Sequence, residues 1–485
     1  MADVVKIVSD VVWSRLVSED ERVDDVLYSF LSAKVKGAEY SDLYKRGVWD
    51  GRRRFYDRVS KRFLTGFLDM VVRKLEAEGY EVDIVFRNDW NKVDRIDRDV
   101  QIELLRQLNG LDFERFMKVQ YPLLEEWLKS GRGAIRLATG GGKTEIICAV
   151  AKLFYDRRVL VLVHRVELLE QTRKRLSERL GERIGVVWSG GVDVGCRVVV
   201  GMVQTLVSRM PQLSGWFEGV DVLVIDECHH MGAKTWISLA IRCPARYRLG
   251  LSGTPLIEDE ERDMWLIGLT GHVVEGMGVR ELSEIGYSVL PSVNVIVDHR
   301  LKFSKFYRSY WDAVRDVFGS MRFLEVVGDT VLAHVMERGE RGIMIFTERV
   351  NVMFSVYRFL KEVCKLNVMY SFGGMSDDMR LRVFTQFKDG RISVLVTTTI
   401  LDEGIDVSGI RAIVFACSNV SVVKILQRIG RGVRVEEGKD RVFVYDFAID
   451  GRYFKGHLKR RLMLYKREGF EIELKRIEGG RLVRV

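Results

Sequence analysis

Six consecutive residues, Thr139-Gly140-Gly141-Gly142-Lys143-Thr144, have the composition that an anion site requires. Three glycines allow the backbone to curl until several N–H groups face one point. Lys143 adds a mobile positive charge and Thr144 a hydroxyl. An apolar run at 133–137 precedes them and a helix-like segment at 145–155 follows. A strand, a glycine-rich turn and a helix in that order aim the positive end of the helix at the anion. The chemistry is nucleotide binding, with Lys143 reaching the β- and γ-phosphates and Thr144 ligating Mg²⁺. Leu137 stands where the usual pattern has its first glycine.

Phosphoryl chemistry also needs carboxylates and a further positive charge. The apolar run 220–225 ends in Asp226-Glu227-Cys228-His229, which sets two acids at the carboxyl edge of a sheet, facing the phosphate loop. There Asp226 would hold Mg²⁺ through water, and Glu227 would orient or deprotonate the attacking water. Cys228, His229 and His230 raise zinc as a competing reading, but three consecutive residues cannot converge on one tetrahedral ion. Further on, Gln427-Arg428-Ile429-Gly430-Arg431-Gly432-Val433-Arg434 puts Arg431 and Arg434 on one side of a helical turn. Both would point into a cleft between two domains and offset charge developing on the γ-phosphate.

Such groups converge only if sheet edges carry them. Short, largely apolar runs at 133–138, 159–163, 197–201, 220–225 and 247–252 read as parallel strands covered on both faces. Helical periodicity fills the gaps, as at 167–180. A second series follows at 343–347, 367–370, 393–398, 412–416 and 442–446. The expected fold is α/β: two tandem doubly wound parallel-sheet domains with a small N-terminal α+β domain. The expected boundaries are an accessory domain at 1–105, a first α/β domain at 106–295, a mostly helical connection at 296–340, a second α/β domain at 341–450 and a basic C-terminal helix and tail at 451–485.

Two segments outside these domains carry unusual charge. Between helical patterns at 23–31 and 64–75 lies a basic and aromatic stretch at 44–56, including Trp49, Arg52, Arg53, Arg54, Phe55 and Tyr56. It reads either as a nucleic-acid contact, with arginines on phosphates and rings on bases, or as a hairpin turning at Asp50-Gly51. Residues 451–485 hold eleven Lys or Arg against four Asp or Glu. Their helical spacing at 457–469 fits a helix packed on the second domain or a DNA-facing edge.

Composition narrows the class further. The chain has 485 residues, 47% of them hydrophobic, and is long enough for two or three domains with their own cores. No apolar run approaches the roughly 18–20 residues of a membrane span. The start, Met1-Ala2-Asp3-Val4, lacks the layout of a signal peptide, so a cytoplasmic location is expected. Six scattered cysteines, none in a Cys-x-x-Cys pair, suit a reducing interior and argue against a disulfide framework or structural zinc. A net charge of +9 points to a polyanionic partner.

Taken in order, the motifs resemble those of superfamily 2 helicases and translocases. Gly140 to Thr144 match motif I, 226–229 motif II, and Leu251-Ser252-Gly253-Thr254-Pro255 motif III. Residues 163–171 resemble motif Ia, 203–205 motif Ib, 345–347 motif IV, 397–407 motif V and 427–434 motif VI, so the likeness spans about 110–450. It implies two RecA-like domains with ATP between them and Mg²⁺ as the metal. By this resemblance Gln120 reads adenine, although Met117 stands where the family usually has an arginine. It also implies that Gly404 and Asp406 touch the nucleotide when the domains close, and that Arg165, Thr205 and Thr398 contact the phosphate backbone of a strand. Residues 256–260 are similar to the XPB-type DNA helicases, with Ile257 in place of an arginine. Residues 47–52 and 64–67 are similar to the start of the UvsW-type helicases of T-even bacteriophages. The resemblance implies a DNA-dependent ATPase that unwinds, remodels or anneals branched DNA in recombination, repair or replication, with RNA engaged within hybrids. An RNA helicase, the motor subunit of a restriction complex, and a binding module with an inactive ATPase are the rival readings.

Overall fold

The computed structural model describes residues 4–485 apart from 88–89, 92–95, 304, 339–340, 399–408, 419–420, 434 and 437, and without the side chains of 377, 422–424, 427 and 431. The chain divides into two units, Met1–Leu137 with Gly142–Gly276, and Ala138–Gly141 with Met277–Val485.

The first unit holds an eight-stranded sheet and a five-stranded one. In the larger sheet the strands run in the order Gly191–Asp193, Gly185–Trp188, Val198–Met202, Val159–Val163, Val222–Asp226, Tyr247–Ser252, Arg132–Arg136 and Val273–Glu275. All neighbours are parallel except the edge pair Gly185–Trp188 and Gly191–Asp193. Val159–Val163 is buried at every position, because a parallel strand is covered on both faces. The helix Lys143–Leu153 is likewise buried at most of its positions. This leaves the sheet's carboxyl edge as the place where polar residues emerge.

The five-stranded sheet belongs to the N-terminal segment and runs Tyr56–Asp57, Arg62–Leu64, Trp13–Val17, Val4–Ser9 and Glu81–Phe86. Its helices, Glu21–Phe30 and Leu68–Ala77, bury Val23, Leu27, Leu68, Val71 and Leu75. These side chains join Leu160, Leu223 and Leu266 in one continuous core, so the N-terminal sheet is not packed separately from the larger one. The approach is close: a Cβ on Gly66 would stand 2.1 Å from the Ile267 carbonyl oxygen. Only glycine fits there. The Asp50-Gly51 hairpin is not formed. Arg52–Arg54 instead pairs antiparallel with Ser32–Lys34, eighteen or more residues earlier.

The second unit has its own eight-stranded sheet, in the order Val368–Ser371, Val394–Thr397, Ile343–Thr347, Ala412–Ala416, Arg441–Phe447, Leu290–Ile296, Glu471–Glu478 and Arg481–Arg484. It is parallel except at its last pair. Two sequence-based expectations need correction here. Leu290–Ile296, assigned to the end of the first α/β domain, is a buried inner strand of the second sheet. The C-terminal segment is more than a helix and tail: after the helix Phe454–Arg467 it adds two strands to the sheet. The helices Tyr310–Phe318 and Met321–Arg338 belong to this second unit and bury side chains such as Val317 and Val327 in its core. Among the described residues no helix is long and apolar enough to cross a membrane.

Candidate functional site

The glycine-rich segment leaves the strand Arg132–Arg136 at the carboxyl edge of the first sheet. The Leu137 N–H donates to the Ser252 carbonyl at 3.0 Å, tying the start of the loop to the end of the neighbouring strand. Gly140 and Gly142 have φ of +84° and +91°, a region that side chains disfavour. Gly142 caps the helix Lys143–Leu153, and its carbonyl accepts from the Glu145 N–H at 2.9 Å. Gln120, only 2% exposed, fills the space beside it. A Cβ on Gly142 would lie 2.3 Å from Gln120 Nε2. The residues expected to bind phosphate and those expected to read the base are therefore in van der Waals contact.

Lys143 and Thr144 begin the helix, and Thr139 lies partly exposed just ahead of the turn. Lys143 Nζ is 3.8 Å from Glu227 Oε1. Asp226 ends the central strand Val222–Asp226, between Val159–Val163 and Tyr247–Ser252. Loss of water contact, then the neighbouring Glu227 charge, push the Asp226 carboxyl up from its ordinary range, while Lys143 pulls it down. Such a carboxylate gains from a bound cation, which fits the expected Mg²⁺ ligand. Glu227 has φ of +51°, rare for a residue with a side chain. That turn of the backbone directs consecutive acids to different partners: the Glu227 N–H donates to Asp226 Oδ1 at 3.0 Å, while the Glu227 carboxylate lies toward Lys143 and His229. Strain of this kind concentrates at functional sites.

Sequence reasoning missed how this segment is tied to the next. His229 Nδ1 is 3.3 Å from Glu227 Oε2 and 3.1 Å from Ser252 Oγ. Ser252 Oγ in turn accepts from the Thr254 N–H at 3.1 Å. Lys143, Glu227, His229, Ser252 and Thr254 thus form one polar chain across three strand ends. In the sequence His229 closes motif II and raises zinc as a competing reading; among the described residues no three His, Cys, Asp or Glu gather around a metal position. A second tie, also absent from the motifs, is Arg179, which grips Glu145 through two bonds of 2.8 and 2.9 Å.

The residues expected on a nucleic-acid backbone fall in separate places. Arg165 caps the helix Val166–Leu180 and Thr205 lies in Val203–Ser208, each following one of two adjacent parallel strands. They share the carboxyl edge of the first sheet. Thr398, 4% exposed, follows Val394–Thr397 in the second unit, and its hydroxyl has no hydrogen-bond partner among the described residues. Trp49 donates from Nε1 to the Arg52 carbonyl at 2.9 Å. The three arginines near it already face carboxylates: Arg53 pairs with Glu261, Arg54 with Asp50, and Arg52 lies 3.9 Å from Glu260. Phe55 and Tyr56 are buried, and Tyr56 donates to Asp24.

Gly404, Asp406 and Arg434 lie outside the described residues, as do the side chains of Gln427 and Arg431, although both belong to the helix Val422–Gly432. The same helix buries Arg428, whose guanidinium sits 4.7 Å above the Phe346 ring.

Two family models match the chain in succession: the type III restriction enzyme res subunit over residues 97–257, and the helicase conserved C-terminal domain over 326–436. The DNA 3'-5' translocase XPB2 of Sulfurisphaera tokodaii is 23% identical over 438 residues, covering 83% of this chain and 93% of that protein. The ATP-dependent DNA helicase uvsW of Enterobacteria phage T4 is 22% identical over 444 residues, covering 87% and 86%. In fold the chain is similar to S. cerevisiae Dbp5 bound to RNA and ADP BeF3, with a TM-score of 0.52 at 16% identity over 77% of this chain and 94% of that one. Both motor halves are thus accounted for in order, on a fold with two parallel sheets, and the chain belongs to the ATP-dependent helicases of superfamily 2.

Proposed function

We propose that the protein is a DNA helicase or translocase that hydrolyses ATP with Mg²⁺ to unwind, remodel or anneal branched DNA. The observation that carries this reading is the polar chain from Lys143 through Glu227 and His229 to Ser252, which joins phosphate loop, acids and third motif in one unit. Thr144, and Asp226 through water, would hold Mg²⁺, whose charge would screen the phosphates. Glu227 would position and deprotonate the attacking water, and Lys143 would stabilise the β- and γ-phosphates. Thr139 and Gly140 to Gly142 would present N–H groups to the phosphates, and Gln120 would meet the base. Gly404, Asp406, Gln427, Arg431 and Arg434 are proposed as further members of the nucleotide site. Arg165, Thr205 and Thr398 would hold a strand by its backbone, which suits a motor because the grip does not depend on sequence. Trp49 and Arg52 to Arg54 would add junction or duplex contacts from the N-terminal domain.

DNA as substrate is supported by the names of the XPB2 and uvsW relatives, and branched DNA rests on the resemblance of residues 47–52 and 64–67 to the start of the UvsW-type helicases. The res-subunit match over 97–257 favours a second reading, the motor of a restriction complex. The test is steady-state ATP hydrolysis with single-stranded DNA, duplex, four-way junction, R-loop and RNA, with Lys143→Ala as the blank. Strongest stimulation by a junction or R-loop supports branched-DNA work. Stimulation by RNA alone overturns the DNA reading, and stimulation that requires a co-purifying nuclease favours the restriction motor.

A further inference from the structure

We propose that Trp311, backed by Arg349, is a stacking platform for an unpaired base of the bound strand. This inference rests on the nucleic-acid motor reading and adds a contact outside the residues assigned to it. Trp311 lies in the first turn of the helix Tyr310–Phe318 and is 52% exposed, while Phe306 nearby in sequence is 71% exposed. Large aromatic side chains are highly buried on average, so two in solvent within six residues call for a reason. Each has an arginine over its ring: Arg349 at 3.9 Å from the Trp311 centroid and Arg452 at 5.1 Å from Phe306. Both arginines are exposed, and among the described residues neither has an ion-pair partner. A row of contacts links the two rings, from Trp311 to Tyr310 at 5.0 Å, Tyr310 to Tyr453 at 5.9 Å, and Arg452 to Tyr453 at 5.6 Å.

The base of the platform is fixed. The Tyr310 hydroxyl donates to Glu348 Oε2 at 2.9 Å, and Glu348 Oε1 accepts from the Ser418 N–H at 2.9 Å. Ser418 Oγ is also 2.9 Å from His457 Nδ1. Glu348 directly follows the strand Ile343–Thr347, and Ser418 lies two residues past Ala412–Ala416, its parallel neighbour. The rings therefore stand at the carboxyl edge of the second sheet, where Thr398 follows the strand on the other side of Ile343–Thr347. Alternating guanidinium groups and flat rings match a strand that presents phosphates and bases in alternation. An apolar peptide would leave Arg349 and Arg452 without anions, so the charge favours nucleic acid as the occupant.

Binding of a labelled oligonucleotide, and of an oligonucleotide of abasic residues, is measured by fluorescence anisotropy for wild type, Trp311→Ala and Trp311→Phe. Trp311→Ala is expected to bind the ordinary strand about tenfold more weakly, within the range seen when base-stacking aromatics are removed. Trp311→Phe is expected to keep most of the affinity, and all three proteins are expected to bind the abasic strand equally. Unchanged binding of the ordinary strand by Trp311→Ala would overturn the platform and leave the patch to a protein partner. Equal weakening on both strands would also overturn it, since a stacking ring senses only bases. A wild type that binds no strand would instead overturn the motor reading itself.

Discussion

The side chain of Gln120 occupies the space that a Cβ on Gly142 would need, with Nε2 only 2.3 Å from that position. Gly142 also has φ of +91°, so a side chain there meets both steric overlap and backbone strain. Gly142→Ala is expected to cost about 1–3 kcal/mol of stability and to abolish tight nucleotide binding. Adding Gln120→Ala removes the overlap but not the strain. The double variant should recover part of the stability in thermal unfolding and little of the nucleotide affinity. Full recovery would mean that contact alone makes the position glycine.

Glu227 stands 3.8 Å from Lys143 and 3.3 Å from His229, in a backbone conformation that few residues adopt. Glu227→Gln keeps the shape and removes the base. It should lower the rate of ATP hydrolysis by about 10²–10⁴-fold, the usual contribution of a positioned general base. Nucleotide affinity should stay close to that of wild type in equilibrium titration. A parallel loss of affinity would show that the carboxylate mainly holds Lys143 in place.

Arg461 reaches Asp446 through two bonds of 2.7 Å, and the Tyr465 hydroxyl adds a third at 3.0 Å. All three residues are buried, which fastens the C-terminal helix onto the strand Arg441–Phe447. Asp446→Ala would strand the Arg461 charge in the interior and should destabilise the second unit by about 3–5 kcal/mol. Replacing the pair together, as Asp446→Leu with Arg461→Met, should cost much less. Denaturant titration of single and double variants reads the difference directly.

The parts of the fold that were legible are those in which burial acts on both faces of a strand. Val159–Val163 is apolar at every position and declares itself. Leu290–Ile296 is buried too, yet its proline, serine and asparagine break the apolar run. Its asparagine side chain is satisfied locally, by a bond of 3.2 Å to the Ser292 carbonyl, which no periodicity rule anticipates. Glu471–Glu478 alternates charge with apolar groups near a sheet edge and so resembles a solvated tail. In the candidate site, the contiguous motifs around Gly142 and Asp226 could be read because each brings its own chemistry in consecutive residues. The His229–Ser252 bond could not, since it exists only once two strands lie side by side. Trp311 stands out in the sequence as an aromatic in a charged helical stretch, but its pairing with Arg349 exists only in the fold.

His334 is buried with its Nδ1 2.7 Å from the Tyr445 hydroxyl, and burial, helped by Arg338, lowers its pKa from 6.5 to about 4. Below pH 6.5 the unfolded chain takes up a proton that the folded chain refuses until about pH 4. Stability from this group is therefore complete above 6.5 and is lost as pH falls through that window. Between pH 7 and pH 5 the loss should be about 2 kcal/mol. His334→Gln cannot titrate, so its unfolding midpoint should move less than that of wild type between these pH values. Equal shifts in both proteins would assign the acid sensitivity to other groups.

The arginines of the N-terminal segment present the opposite problem, since their charge is already engaged. Arg53 pairs with Glu261 and Arg52 lies 3.9 Å from Glu260, whose carboxylate also accepts from the Lys34 N–H at 2.8 Å. Arg52, Arg53 and Glu260 are all substantially exposed, so the pairs themselves should add no more than about 1 kcal/mol to stability. Their effect on a bound polyanion should be larger, because the polyanion would have to compete with both glutamates for the same guanidinium groups. Glu260→Gln with Glu261→Gln should therefore strengthen duplex or junction binding several-fold. The slope of log affinity against log salt should steepen by about one to two, one unit for each phosphate newly engaged. Arg53→Ala should do the reverse and flatten the slope. If the double glutamine variant leaves both affinity and slope unchanged, these arginines serve the packing of the N-terminal domain and the strand is held elsewhere.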